Sequence, residues 1–272
     1  MQEYFRDKTF VVTGAASGIG EAVARRLVAM GGNVVAFDLH SPGPGSACEF
    51  VEFDQGEFSS ISTAVQRAPK RIDGLFNVAG AAPSDRLTVE RLLLINYYGV
   101  RRLTEALADR LSDGGAIVNM SSHAGHRWKE NAPVARAFLN ASNLSEIAAL
   151  VAERQIKLHG LDDRSAYPLS KQLLNLWTVG SLSFCQSRGV RMNAVAAAGV
   201  KTPILDKFLE SFGEDSAARI QSIGVACPDD VAGGLVFLAS PASSWIKSAV
   251  IAIDGGASAL AAAKQLDIKI DG

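Results

Sequence analysis

Hydrophobic and polar positions follow two interleaved rhythms along the chain. Short apolar runs bounded by glycine or polar residues occupy 9–13, 33–38, 49–53, 74–78 and 116–120. Such runs predict buried strands. Between them, apolar residues recur three and four apart. In 18–30 they are Ile19, Val23, Leu27 and Val28, with Gly31-Gly32 as the stop, and 59–68 and 88–111 follow as further helical stretches. This spacing predicts helices. The second half continues with helices over 168–187 and 229–239 and strands over 190–196 and 250–253. One stretch, about 123–165, breaks the rhythm. Within it, 142–158 sets Leu144, Ile147, Ala148, Val151 and Leu158 on one helical face.

Alternating strands and helices, with strands apolar nearly throughout, predict an α/β fold. The expected form is a Rossmann-type doubly wound parallel sheet of about seven strands with helices on both faces. The 272 residues allow one large domain or two small ones. No proline- or serine-rich linker divides the middle and no internal repeat is present, so a single domain over 1–272 is expected. Hydrophobic residues make up 48% and charged residues 20%, which excludes a disordered chain. Lys plus Arg number 27 against 28 Asp plus Glu, so no basic excess points to nucleic acid. No apolar run reaches the length of a membrane span. The charged first residues lack the apolar core of a signal peptide. Cys48, Cys185 and Cys227 are too scattered for a disulfide framework or a metal site, so a reduced, cytoplasmic protein is expected. His123 and His126 lack further ligands at metal-binding spacing, and no metal is expected.

The candidate chemistry begins at Thr13-Gly14-Ala15-Ala16-Ser17-Gly18-Ile19-Gly20, on the first strand-to-helix turn. Glycines at such a turn let backbone N–H groups approach a pyrophosphate at the positive end of the next helix. Gly14, Ser17, Gly18, Ile19 and Gly20 are the candidates. Asp38 ends the next strand, 18 positions after Gly20, where a carboxylate bonds an adenosine ribose diol and repels a 2′-phosphate. That favours NAD over NADP. Further on, Tyr167-Pro168-Leu169-Ser170-Lys171 places a phenol and an ammonium four apart, on one helical face. A nearby cation lowers a tyrosine pKa and fits it to take or give a proton while hydride leaves or joins carbon. Pro168 lacks an N–H and belongs in a first turn, so Tyr167 is expected at the helix start or as its cap.

These motifs resemble those of the short-chain dehydrogenase/reductase family, single-domain type. Asn77-Val78-Ala79-Gly80 after the fourth strand, Asp54 after the third and Asp254-Gly255-Gly256 after the last extend the resemblance from Lys8 to about Gly256. The resemblance implies that Asn77, Ala79 and Gly80 hold the sheet and line the adenine side, and that Asp54 faces adenine. Val200 and Thr202 would serve the nicotinamide end, and Tyr167 and Lys171 would touch the cofactor as well. It also implies a serine that orients the substrate oxygen. Ser122, three before Gly125, fits that place better than Ser121. Asn96 would hold water that links Lys171 to solvent. The implied function is NAD-dependent interconversion of an alcohol and a carbonyl on a small apolar or aromatic substrate. A homo-oligomer, dimer or tetramer, is implied too, with neither nucleic acid nor membrane as partner.

Several features depart from the family pattern. Tyr167 stands 45 positions after Ser122, a wide gap. The inserted segment resembles that of the family's bacterial hydroxysteroid and coniferyl alcohol dehydrogenases. It would wall the substrate pocket or cover a helix-pair interface. Ala197-Ala198 replace a usual Pro-Gly, and Ser248 stands where glycine is common. The apolar face of Ile204, Leu205, Phe208, Leu209 and Phe212 is either a lid over a hydrophobic substrate or a surface helix packed on the core. A tail of about 258–272 follows the family's usual end. The competing reading of the whole chain is an NAD-binding sensor or partner protein with little catalysis.

Overall fold

Seven strands form one parallel sheet in the order β3-β2-β1-β4-β5-β6-β7. They are β1 (Thr9–Thr13), β2 (Asn33–Asp38), β3 (Glu49–Glu52), β4 (Ile72–Asn77), β5 (Leu111–Ser122), β6 (Arg191–Ala197) and β7 (Val250–Ile253). This is a computed structural model that describes residues 2–213, 220 and 223–268. Successive strand residues point to opposite faces. Phe10, Val12, Val34, Ala36, Phe76 and Val118 enter one core, and Val11, Val35, Phe37, Leu75 and Ile117 enter another. Both faces are therefore buried, which is why the strands read as continuous apolar runs.

Helices close both faces. After the short α1 (Gln2–Phe5), helix α2 (Gly18–Ala29) covers the first core together with α11 (Pro228–Ala239). Arg26 bonds Asp229 at 2.9 Å and ties these two helices at the surface. The second core lies under α3 (Phe58–Arg67) and α5 (Gly99–Leu107). A chain of buried side chains joins this layer. Asn77 Nδ2 donates to Thr104 Oγ1 at 2.9 Å and to Asn119 Oδ1 at 2.8 Å, and Asn119 Nδ2 donates to Thr178 Oγ1 at 3.0 Å.

Three elements differ from the sequence expectation. The stretch 88–111 is one helical path made of α4 (Val89–Leu93), a π-helical turn (Leu94–Tyr98) and α5, and β5 already begins at Leu111. The stretch 168–187 splits into α8 (Ala166–Gly180) and α9 (Leu182–Gln186). Ser165 is the N-cap, so Tyr167 lies inside the first turn. The inserted segment holds two helices, α6 (Ala132–Asn140) and α7 (Leu144–Arg154). Asn143 caps α7 by accepting from the Glu146 N–H at 3.0 Å. Phe138 and Ile147 of the insertion share a third core with Tyr97, Leu169 and Leu173, so the insertion lies against α8 and the π turn. Tyr98 fastens it there with a 2.7 Å hydrogen bond to the Phe138 carbonyl.

The last described helix is α12 (Ala257–Gln265), at the start of the expected tail. Residues 269–272 of that tail lie outside the described residues. No helix among the described residues is long and apolar enough to cross a membrane.

Candidate active site

The strand order reverses between β1 and β4, and a cleft opens beyond the carboxyl ends of the strands, as this topology dictates. Its volume is about 910 Å³. At one end lies the glycine turn. Gly14 and Gly18 take φ of 70° and 58°, the left-handed region that glycine enters freely. A Cβ on Gly14 would stand 2.9 Å from the Ala79 backbone, and one on Gly20 would overlap the Gly14 carbonyl. The two loops thus meet only because side chains are absent. Thr13 Oγ1 accepts from the Val78 and Ala79 N–H groups, each at 3.0 Å, and locks the same junction. Ser17 caps α2 without a side-chain bond to the helix, and Gly18, Ile19 and Gly20 of its first turn, whose N–H groups lack helical acceptors, line the cleft.

Asp38 lines the cleft, with Oδ2 accepting from Ala16 N–H at 2.9 Å and Oδ1 from His40 N–H at 3.1 Å. It therefore also holds the glycine turn. Asp54 lines the cleft as expected, and its carboxylate pairs with Arg91 at 2.8 Å. No lysine or arginine lines the cleft beside Asp38 and Asp54 among the described residues. An anion cradle of backbone N–H groups next to these carboxylates fits the pyrophosphate and ribose of a dinucleotide without a 2′-phosphate. Val200 and Thr202 line the floor, and Thr202 Oγ1 donates to the Val200 carbonyl at 3.3 Å. Ala197 and Ala198 also line it, and neither takes a positive φ, so alanine stands there without backbone strain.

At the other end stand Ser122, Tyr167 and Lys171. Ser122 closes β5, with its hydroxyl accepting from Ala124 N–H at 3.2 Å. Tyr167 and Lys171 project from α8, with the Lys171 Nζ 5.6 Å from the centre of the Tyr167 ring. Lys171 donates to the Met120 carbonyl at 3.0 Å. Burial pushes the Tyr167 phenol up to about 12, opposed by a hydrogen bond with Ser122. Burial also pulls the Lys171 ammonium down to about 8. Desolvation raises the Tyr167 phenol, contrary to the lowering expected from the Tyr-x-x-x-Lys spacing.

Asn77 braces the sheet, as the resemblance implies, but does not line the cleft, and its side chain is spent on Thr104 and Asn119. Asn96 sits in the π turn. Its Oδ1 accepts from Ala81 N–H at 2.8 Å and its Nδ2 donates to the Ala81 carbonyl at 3.0 Å. The side chain clamps the loop after β4. Gly80 lies between, where a Cβ would come 3.2 Å from Asn96 Oδ1 and 3.7 Å from Lys171 Nζ.

The sequence reading missed Gln55. Its Nε2 donates to the Ala79 carbonyl at 3.1 Å and to the Ile95 carbonyl at 2.6 Å, which joins the nucleotide loop to the π turn. Only its position after Asp54 hints at this. The apolar face of 204–212 resolves as well. Helix α10 (Leu205–Phe212) sets Phe208 and Phe212 with ring centres 4.8 and 5.7 Å from the Tyr167 ring, so it roofs the catalytic end. His123 and His126 stack at 4.9 Å on the cleft wall. No group of metal-ligating side chains occurs among the described residues.

The comparisons with known proteins agree with this geometry. The short chain dehydrogenase family matches residues 8–135, and the Enoyl-(Acyl carrier protein) reductase family matches 148–258. A coniferyl-alcohol dehydrogenase of Pseudomonas sp. strain HR199 is 33% identical over 92% of this chain and 96% of that protein. A 3-alpha-hydroxysteroid dehydrogenase/carbonyl reductase of Comamonas testosteroni is 29% identical over 92% of this chain and 96% of that protein. The crystal structure of the 3-alpha-hydroxysteroid dehydrogenase from Pseudomonas sp. B-0831, complexed with NADH, superposes with a TM-score of 0.79. It is 29% identical, over 94% of this chain and 99% of that one. With its parallel sheet, glycine turn and Tyr-x-x-x-Lys pair, the chain belongs to the short-chain dehydrogenase family, as an oxidoreductase.

Proposed function

We propose that the chain is an NAD(H)-dependent alcohol dehydrogenase/carbonyl reductase for apolar or aromatic alcohols, with coniferyl-type alcohols and hydroxysteroids as leading candidates. The observation that carries this is the Tyr167 phenol, buried beside Ser122 and Lys171 at the cleft end and roofed by Phe208 and Phe212. When bound, the nicotinamide supplies or accepts the hydride. Ser122 offers its hydroxyl to the substrate oxygen and orients it. Tyr167 gives its proton to a carbonyl oxygen in reduction and takes one from an alcohol in oxidation. Lys171 supplies the positive charge that favours phenolate. Asn96, Gln55 and Thr13 hold the loop 78–81 on which that arrangement rests. Asp38, which forms no ion pair among the described residues, supports NAD(H) over NADP(H). The aromatic roof supports a flat apolar substrate, and the names of the similar dehydrogenases point the same way.

The other reading is an NAD-binding sensor without turnover. A panel of alcohols with NAD at alkaline pH separates the two by the appearance of NADH absorbance. Turnover with NAD, and little with NADP, is the expected result. Tight NADH binding with no turnover of any alcohol or carbonyl would favour the sensor.

A further inference from the structure

One face of α12 lines the catalytic end of the cleft. Ala257, Leu260, Ala261, Lys264 and Gln265 all border it, at the three-and-four spacing of a single helical stripe. The first turn of α12 sits beside the catalytic serine's neighbour, because Ser258 Oγ lies 3.3 Å from His123 Nδ1. The stripe is apolar there and stays apolar through Leu260, whose side chain is 62% exposed along the open wall. It reaches Lys264, seven residues after Ala257, or about 10 Å along a helix that rises 1.5 Å per residue. Lys264 makes no ion pair with any described residue.

The cleft is also polarised. Its carboxylates, Asp38 and Asp54, lie at the adenosine end, and no carboxylate side chain lines the end near Tyr167 among the described residues. The cationic side chains on its wall are Lys171 and Lys264. Lys171 is buried and turned to the Met120 carbonyl. Lys264 is exposed and lines the cleft. The pyrophosphate cradle at Gly14–Gly20 belongs to β1, in the middle of the sheet, whereas α12 leaves the edge strand β7.

We propose that Lys264 is a specificity-determining residue that pairs with a carboxylate on the far end of an apolar alcohol. The preferred substrate class is then an aryl or alicyclic alcohol bearing an acidic tail. This deepens the reading of the chain as an alcohol dehydrogenase and rests on it. The body of such a substrate lies between the Phe208–Phe212 roof and the Leu260 wall, and its carboxylate meets the ammonium at the mouth.

The test uses ω-[4-(hydroxymethyl)phenyl]alkanoic acids of increasing chain length and their methyl esters, each with NAD and the full chain. The acids are expected to exceed their esters in kcat/KM by about five-fold, the size of one partly exposed ion pair. The preference should peak at one tail length and fall with added salt. Lys264→Met should erase the acid-to-ester ratio, Lys264→Glu should invert it and Lys264→Arg should keep it. A ratio is insensitive to any common loss of folded protein. Equal use of acids and esters by the native chain, or a ratio unmoved by Lys264→Glu, overturns the proposal and leaves the dehydrogenase reading intact. Weaker NADH binding in Lys264→Met with an unchanged ratio also overturns it, by assigning the ammonium to the cofactor. No turnover of either series or of any neutral alcohol instead defeats the underlying reading.

Discussion

At the scale of single residues, the proposed chemistry turns on a buried phenol. Burial holds Tyr167 at about 12, so below that pH it carries its proton and is ready to donate. Oxidation needs the phenolate, and reduction needs the phenol. The kcat/KM for alcohol oxidation should therefore climb with pH from neutrality to about pH 8, where Lys171 starts to lose its charge, while carbonyl reduction stays nearly flat over the same range. Parallel pH profiles in the two directions check this. Ser248 gives a second prediction. It stands at φ 53° with its hydroxyl buried and unpartnered, where the family pattern favours glycine. A left-handed residue with a Cβ costs about 1–2 kcal/mol, part of which glycine returns as chain entropy. Ser248→Gly should raise the melting temperature by about 2 °C.

At the scale of elements, the strands and the glycine turn were legible because one physical cause fixes each. Strands buried on both faces are apolar throughout, and the turn has no room for a Cβ at Gly14 or Gly20. The π turn was not legible, since nothing in Leu94-Ile95-Asn96-Tyr97-Tyr98 breaks helical spacing. Its cause is tertiary, for Gln55 and Ala81 take its polar groups. Tyr167 lies at the helix start, as Pro168 indicates, and only the alternative of Tyr167 as the cap fails, because Ser165 takes that place. In a first turn the N–H groups lack helical acceptors anyway, so Pro168 fits one residue after Tyr167. Helix α6 was hidden because few of its residues are buried, Ala135 and Phe138 among them.

The insertion also reaches the roof. His159 places Nε2 at 3.2 Å from Asp85 Oδ1 and Nδ1 at 3.0 Å from Ser211 Oγ on α10. A carboxylate only accepts, so Nε2 carries a proton and the ring bridges the two elements. His159→Ala should loosen α10 and raise KM for an apolar alcohol about three- to ten-fold with little change in kcat. His159→Asn should recover part of that loss. Steady-state kinetics on the three proteins checks it, and an equal fall in kcat would contradict the positioning role.

At the scale of the whole molecule, the cleft is one continuous site with a nucleotide end and a reacting end. A ligand that binds only the folded chain raises its stability, by about 2.7 kcal/mol at a hundred times its Kd. NADH should therefore raise the melting temperature clearly, and NADPH at the same concentration far less. Asp38→Ala should narrow that difference and also weaken NADH, because Asp38 holds Ala16 in the glycine turn. The homo-oligomer that the family resemblance implies is tested by light scattering on the purified chain, with a dimer or tetramer mass as the expected result.

The central claim is hydride transfer between a substrate carbinol carbon and NAD, with Tyr167 handling the proton. Its most direct test gives the enzyme an apolar alcohol deuterated at the carbinol carbon and follows the label by mass spectrometry. The account predicts that deuterium appears in the reduced nicotinamide with the native chain. With Tyr167→Phe it should nearly vanish while NADH still binds. Undiminished label transfer in Tyr167→Phe, or none with the native chain across the alcohol panel, would contradict it.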